Sequence, residues 1–206
     1  NVPAYEFLNL EGDKFSTSRN WAVWLHEFLE SYPTKVDELK YVLTAIAPEN
    51  KDSEFTWKEF QNRINNELAA IYGNFVNRTL VLTQKYYEGI IPAPNKYSSE
   101  DLLVLKELKE IPERISKNMY EYKLREAQSE MMNLARLGNK YLADEEPWKV
   151  IKIDEERVKT ILYIALQITA ALSVASFPFI PDTSKKLQKM LNFSSESWTD
   201  LLQEEV

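Results

Sequence analysis

Three features of the sequence predict a mainly α-helical fold. The chain of 206 residues has only four glycines, which helix interiors exclude and strand-rich folds need in their turns. Leu, Lys, Glu and Ala are abundant. Apolar residues recur at steps of three and four along most of the chain. We therefore expect a helical bundle preceded by a small mixed module.

The N-terminal part has a different pattern from the rest. Residues 1–20 lack helical periodicity, and Gly12 with Asp13 predicts a turn. Short helices are expected around residues 22–29 and 36–47. A composition shift near 52–55 sets a boundary, so that we predict a mixed module at 1–55, a helical domain at 56–192 and a tail at 193–206.

A long amphipathic helix is predicted from Trp57 to beyond Leu82, ending near Gly89. Its apolar stripe includes Phe60, Ile64, Leu68, Ile71 and Phe75. The next helix should start at Ser98, where the hydroxyl can cap the first turn and Asp101 completes a capping-box pair. Pro112 is expected to break or kink this helix.

Two further helices follow. A run with helical spacing from Tyr120 to Tyr141 should stop before the acidic turn that leads into Pro147. Asp154 and the two glutamates after it predict the start of the last long helix, which runs towards Pro178.

This last helix raises the possibility of a membrane span, because residues 160–180 contain no charged side chain. Four polar residues dilute the run: Gln167, Thr169, Ser173 and Ser176. Since the central helix of a bundle is apolar all round, we expect a buried core helix and no membrane partner.

Composition excludes several classes of site. With no cysteine and one histidine, the chain cannot form a disulfide, a thiolate zinc site or a multi-histidine metal centre. A net charge of −7 and a pI near 5.0 argue against a protein that coats nucleic acid. A protein that reads a few unpaired bases needs only a local site. There is no signal-peptide pattern, and we expect a cytoplasmic protein.

A polar loop after the Gly-Asp turn carries two cations and three hydroxyls. Lysine and arginine side chains bind phosphate oxygens, and hydroxyls donate to them, so the loop suits a leaving pyrophosphate. These candidate residues are Lys14, Ser16, Thr17, Ser18 and Arg19. The alternative is a solvated loop in which Ser18 or Asn20 caps the next helix.

Residues 9–20 resemble the second signature motif of class I aminoacyl-tRNA synthetases, Lys-Met-Ser-Lys-Ser, in the form found in methionyl enzymes. Trp21-Ala22-Val23-Trp24 is similar to that family as well. The resemblance implies that Lys14 contacts the phosphates of ATP, with Mg²⁺, during adenylate formation. Thr17 occupies the position of the family's second lysine. Either Arg19 therefore supplies part of that lysine's phosphate contact, or Lys14 supplies more of it.

A second candidate cluster lies on the long helix. Asn74 and Arg78 are four residues apart and therefore share one helix face, where an amide can pair with a base edge and a guanidinium can stack or bind phosphate. Residues 73–78 resemble the segment of methionyl enzymes that contacts the anticodon. The alternative is a solvated helix edge.

The third cluster is the stretch from Asn139 to Trp148. A tryptophan beside a proline-enforced turn makes a rigid surface on which an unpaired base can stack. The stretch resembles the part of methionyl enzymes that ends in their anticodon-reading tryptophan. The alternative is a tryptophan that plugs the end of the bundle.

The resemblance covers residues 1–190 and implies the C-terminal part of a methionyl-tRNA synthetase. It makes residues 1–55 the end of the catalytic domain, with the signature loop and a stem-contact module, and residues 56–192 the anticodon-binding bundle. The intact enzyme would join methionine to tRNA(Met), with anticodon CAU, while this chain alone would not catalyse the reaction. Any zinc site would lie upstream. The alternatives are the same region of a valyl, isoleucyl, leucyl or cysteinyl enzyme, or a helical protein-interaction module.

Overall fold

A computed structural model describes residues 3–193 of the chain. Apart from Phe193, the predicted tail lies outside the described residues. The described elements are predominantly helical, with one small sheet near the N-terminus, as the sequence predicts.

The sheet has three short strands: β1 (Leu8–Leu10), β2 (Asp13–Lys14) and β3 (Ser53–Phe55). β1 is central, antiparallel to β2 and parallel to β3. The turn between β1 and β2 lies one residue before the predicted position: Glu11 and Gly12 form it, with φ values of 48° and 86°, and Asp13 already belongs to β2. Two successive left-handed residues match the twist of a two-residue hairpin. Helices α1 (Leu25–Ser31) and α2 (Val36–Ala45) connect β2 to β3.

The predicted long helix is present but is not α-helical throughout. It consists of α3 (Trp57–Arg63), a π-helical segment (Ile64–Gly73) and α4 (Asn74–Tyr87). Thr56 caps its start by accepting from the Glu59 N–H at 3.0 Å. It ends where Glu88 and Gly89 both turn left-handed, close to the predicted end.

The Ser98 capping box is confirmed at the start of α5 (Ser99–Tyr120). Of the two effects expected of Pro112, a break or a kink, the break is wrong, because α5 continues through the proline to Tyr120. Pro112 is buried, as are Ile111 and Ile115, and burial of this apolar part of the helix offsets the N–H donor that proline lacks.

The predicted run beginning at Tyr120 is shorter in the structure, since α6 spans Leu124–Glu145. Tyr120 ends α5, and Tyr122 adopts a left-handed φ of 59° between the two helices. The acidic turn also differs from the prediction: α6 continues through Asp144 and stops at the left-handed Glu146, whose φ is 43°.

Three helices complete the described chain: α7 (Pro147–Val150), α8 (Glu155–Ala175) and α9 (Pro181–Met190). Asp154 caps α8 as predicted, accepting from the Arg157 N–H at 3.0 Å. α8 packs against α4, α5, α6, α7 and α9 at the centre of the bundle. It is long and apolar enough to cross a membrane, but 83% of its most apolar 18-residue stretch is buried within the protein, as in a core helix.

Polar contacts attach the N-terminal module to the bundle. The Asp37 carboxylate on α2 accepts from the backbone N–H groups of Asp182 (3.3 Å) and Thr183 (2.6 Å) at the start of α9. The Gln128 amide on α6 donates to the Tyr41 carbonyl at 2.9 Å. The module therefore packs directly on two helices of the bundle.

Candidate nucleic-acid interface

The structure brings Arg78 and Trp148 together, although 70 residues separate them in the chain. The Arg78 guanidinium lies 4.9 Å from the centre of the Trp148 ring, which is cation–π geometry. Both side chains are half-buried. In the described part of the chain Arg78 forms no ion pair, so its N–H donors remain available to a ligand.

The turn between α6 and α7 fixes the position of Trp148. Glu146 ends α6 in a left-handed conformation, and Pro147 follows as the buried first residue of α7. The fixed φ of proline suits the first position of a helix, where no N–H bond is lost. Trp148 is thus held on a short helix with two backbone constraints immediately before it.

Asn74 is exposed at the first position of α4, on the face that also carries Arg78. Its amide nitrogen donates to the Asn139 side-chain oxygen at 3.1 Å. The Asn139 amide nitrogen donates to the backbone carbonyls of Ile71 (2.8 Å) and Ala135 (3.0 Å). Asn139 is the first residue of the third cluster predicted from the sequence, where no role was expected of it.

A close approach of two helices makes the contact between Asn74 and Asn139 possible. A Cβ atom added to Gly138 on α6 would lie 2.2 Å from ring carbons of Phe75, which is fully buried on α4. Glycine is required here for space, because any side chain would overlap the phenyl ring. The only sequence signal was an isolated glycine inside a helical pattern.

A buried carboxylate stabilises the bundle around the end of α6. Asp101 has no exposed surface and accepts from Tyr141 at 2.7 Å and from both terminal nitrogens of Arg157. Arg157 also pairs with Glu145 at 2.7 Å. Burial acts to raise the pKa of Asp101, but the bonds from Arg157, the Ser98 N–H and Tyr141 outweigh it and hold that pKa below its usual value.

The predicted phosphate loop is a separate feature on the N-terminal module. An antiparallel bridge between Ser16 and Trp21 closes it. Lys14 is exposed, with its ammonium 5.2 Å from the centre of the Phe7 ring, and the Ser16 and Ser18 hydroxyl oxygens are 3.3 Å apart. Thr17 and Arg19 are also exposed.

The alternative role of this loop as a helix cap does not hold. Trp24 occupies the N-cap of α1, without a side-chain cap bond. Asn20 instead accepts from the Trp24 indole N–H at 2.9 Å. Across residues 3–193, no hydrogen bond or ion pair joins the loop to Asn74, Arg78 or Trp148.

The described residues contain no group of three or more His, Asp or Glu side chains placed to hold a metal ion. Two of the polar features described above are candidate binding sites: the loop with Lys14 and Arg19, and the cluster of Trp148, Arg78 and Asn74. The second combination can stack a flat ring on Trp148 while Asn74 and Arg78 offer hydrogen bonds at its edge.

Two family models match the chain. One, described as class I tRNA synthetases (M), matches residues 1–80, and the other, described as the anticodon binding domain of methionyl tRNA ligase, matches residues 91–206. The second match covers more than half of the chain.

Curated relatives agree with these matches. Methionine–tRNA ligases are 66% identical over 96% of the chain in Christiangramia forsetii, 62% over 98% in Flavobacterium psychrophilum and 60% over 98% in Bacteroides fragilis. The chain spans only 28–30% of the length of these three relatives.

A solved structure of a Mycobacterium tuberculosis methionyl-tRNA synthetase in complex with methionyl-adenylate shares the fold. The superposition has a TM-score of 0.88 at 24% sequence identity, and it covers 96% of this chain and 40% of that one.

Proposed function

The chain belongs to the methionyl-tRNA synthetase family, and on that premise we propose that its helical domain reads the CAU anticodon of tRNA(Met). Asn74, Arg78 and Trp148 contact chiefly the first base, cytosine. The observation that supports this most strongly is the stacked pair of Arg78 and Trp148, with Asn74 on the same helix face.

The family match decides between the alternatives raised by the sequence. The model that covers residues 91–206 is specific to methionyl tRNA ligase, not to the valyl, isoleucyl, leucyl or cysteinyl enzymes. It likewise identifies residues 91–206 as an anticodon-binding domain rather than a protein-interaction module.

The proposed recognition uses one face of the indole ring. The Arg78 guanidinium lies over the Trp148 ring, and an unpaired base stacks on the remaining surface of the indole. Stacking alone does not distinguish the bases. The amide of Asn74 and the guanidinium of Arg78 supply the edge contacts that select cytosine.

The activity of the whole enzyme is part of the same proposal. It attaches methionine to tRNA(Met) through methionyl-adenylate, with ATP and Mg²⁺, and acts in the cytoplasm. Lys14 contacts the ATP phosphates, with contributions from Ser16, Ser18 and Arg19, and Thr17 lies where the family has its second lysine. A zinc site, where the enzyme has one, lies outside these residues.

The anticodon proposal is tested by titrating the 206-residue chain with anticodon stem-loops that carry CAU or UAU. We expect Trp148→Ala to weaken CAU binding by roughly 5- to 150-fold, because base stacking on an aromatic is worth about 1–3 kcal/mol. Tyr120→Ala is the matched control, since Tyr120 is an aromatic side chain that is 85% exposed elsewhere on the bundle. Equal binding of both RNAs, unchanged by Trp148→Ala, would overturn the assignment.

A further inference from the structure

Asn139 lies beside the proposed anticodon site of Asn74, Arg78 and Trp148, but its side chain faces Asn74 rather than the proposed ligand. It lies half-buried on α6 and forms three hydrogen bonds with its side chain. Two of them go to backbone carbonyls on different helices, those of Ile71 and Ala135.

These two bonds determine which end of the Asn139 amide faces Asn74. A backbone carbonyl can only accept, so the nitrogen of Asn139 must point towards Ile71 and Ala135. The reverse orientation would place three oxygen atoms against one another. The Asn139 oxygen therefore faces Asn74, and Asn74 must donate to it through its own amide nitrogen.

The backbone at this point is itself unusual. Ile71 belongs to the π-helical segment, and Asn74 is the first residue after it. The Asn74 backbone N–H lies between the carbonyls of Ala69 and Ile71. Asn139 thus binds the main chain at the π-to-α junction and the side chain of Asn74 at the same time.

We propose that Asn139 is a positioning residue that fixes the Asn74 amide in the orientation that accepts cytosine and rejects uracil. The inference rests on the proposed function. Asn139 would then determine specificity through its contact with Asn74, without contacting the base itself.

The chemistry of the two bases explains why the orientation matters. Cytosine presents an amino donor at C4 and an acceptor at N3, whereas uracil presents an acceptor at O4 and a donor at N3. An asparagine amide matches the first pattern in one orientation and the second when it is flipped by 180°. One N–H of the Asn74 amide donates to Asn139, which leaves the carbonyl oxygen and the second N–H of Asn74 for the base. A flip of the Asn74 amide would place its oxygen against the side-chain oxygen of Asn139.

The test compares the affinities of the 206-residue chain for CAU and UAU stem-loops in wild type and Asn139→Leu. One good bidentate contact gives roughly 5- to 150-fold discrimination against the wrong base. We expect Asn139→Leu to remove most of the wild-type ratio, chiefly by allowing UAU to bind. Any loss of folded protein cancels, because both RNAs are measured on the same sample.

Two further variants separate positioning from a structural role. Asn133→Leu is the matched control: Asn133 is also half-buried on α6, and among the described residues its amide accepts only from Arg136, at 3.0 Å. This control should keep the wild-type ratio. In an Asn74→Ala background, Asn139→Leu should change the ratio no further, because the two residues act as one unit.

The outcomes distinguish the two proposals. If the wild-type chain binds both RNAs equally, this inference is overturned, and the anticodon assignment is overturned with it when Trp148→Ala also leaves both affinities unchanged. If wild type discriminates and Asn139→Leu discriminates equally well, or loses both RNAs in the same proportion, only the positioning role is overturned.

Discussion

At the residue scale, one glycine controls how closely two helices meet beside the proposed site. Gly138 contacts the ring of Phe75, and its neighbour Asn139 reaches Asn74 across the same contact. Helix propensity favours alanine over glycine by about 1 kcal/mol in a helix interior. Overlap between the added methyl group and the Phe75 ring opposes this gain, because that ring is fully buried.

We expect Gly138→Ala to lower the free energy of unfolding by about 1–3 kcal/mol, the usual range for overpacking a core. Urea unfolding of the 206-residue chain measures this change. The double variant Gly138→Ala/Phe75→Leu should recover part of the loss, because the smaller side chain leaves room for the added methyl group. A Gly138→Ala chain as stable as wild type would contradict this account of the contact.

At the element scale, the Asp101 cluster joins three helices through side chains that are 40 and 56 residues from Asp101 in the sequence. Asp101 caps the start of α5, Tyr141 lies near the end of α6, and Arg157 lies in the first turn of α8. The bond to Asp101 is the main reason that the pKa of Arg157 is raised. Burial, together with donation to Asp101, raises the pKa of the Tyr141 phenol. The cluster therefore holds a fully buried negative charge through directed bonds.

Removing one partner of a buried pair leaves the other charge uncompensated. We expect Arg157→Met to lower the free energy of unfolding by roughly 3 kcal/mol at pH 7, which urea unfolding measures. Arg114→Met is the control, because the ion pairs of Arg114 with Glu107 and Glu130 are more exposed and contribute about 0–1 kcal/mol. Equal effects of the two substitutions would show that burial of Asp101 is unimportant.

The same cluster predicts a pH dependence. The folded pKa of Asp101 is below its usual value, so its ionised form stabilises the fold above the unfolded pKa of about 3.9, and this contribution is lost as pH falls through the lower folded pKa. In Arg157→Met only burial and weaker donors remain, and the pKa of Asp101 rises. The deficit of the variant should therefore shrink between pH 7 and pH 4.5, and a deficit that grows on acidification would contradict this assignment.

At the scale of the whole molecule, the two proposed sites lie on different parts of the chain. The predicted phosphate loop, with Lys14, belongs to the N-terminal module. The proposed anticodon site is built from residues of α4, α6 and α7. The acidic chain, with a net charge of −7, carries no overall attraction for RNA. Binding must then depend on the local cluster, and the two functions should respond separately to mutation.

In a full-length enzyme that contains this segment, we expect Lys14→Ala to slow methionyl-adenylate formation by roughly 10²- to 10³-fold, the cost of one lost transition-state contact. The affinity for the CAU stem-loop should not change. ATP–pyrophosphate exchange measures the first quantity and RNA titration the second. Lys58→Ala on α3 is the control. An unaltered exchange rate in Arg19→Ala would show that Arg19 does not contribute to the phosphate contact.

Local patterns in the sequence determined much of this protein. The Gly12 turn, the Ser98 capping box, the cap at Asp154 and the burial of α8 follow from rules that act over a few residues. Hydrophobic periodicity predicted the helices because it also depends on residues that are close in sequence. The motif resemblance also identified the family, which the matches to relatives confirm.

Only the tertiary structure decided the rest, because it depends on side chains that meet from distant positions. Packing keeps α5 helical through Pro112, and a π-helical segment interrupts the long helix before Asn74. No spacing rule predicts that Arg157 would pair with Asp101 or that Asn139 would hold Asn74. These contacts span 56 and 65 residues, and their geometry exists only once the helices have packed.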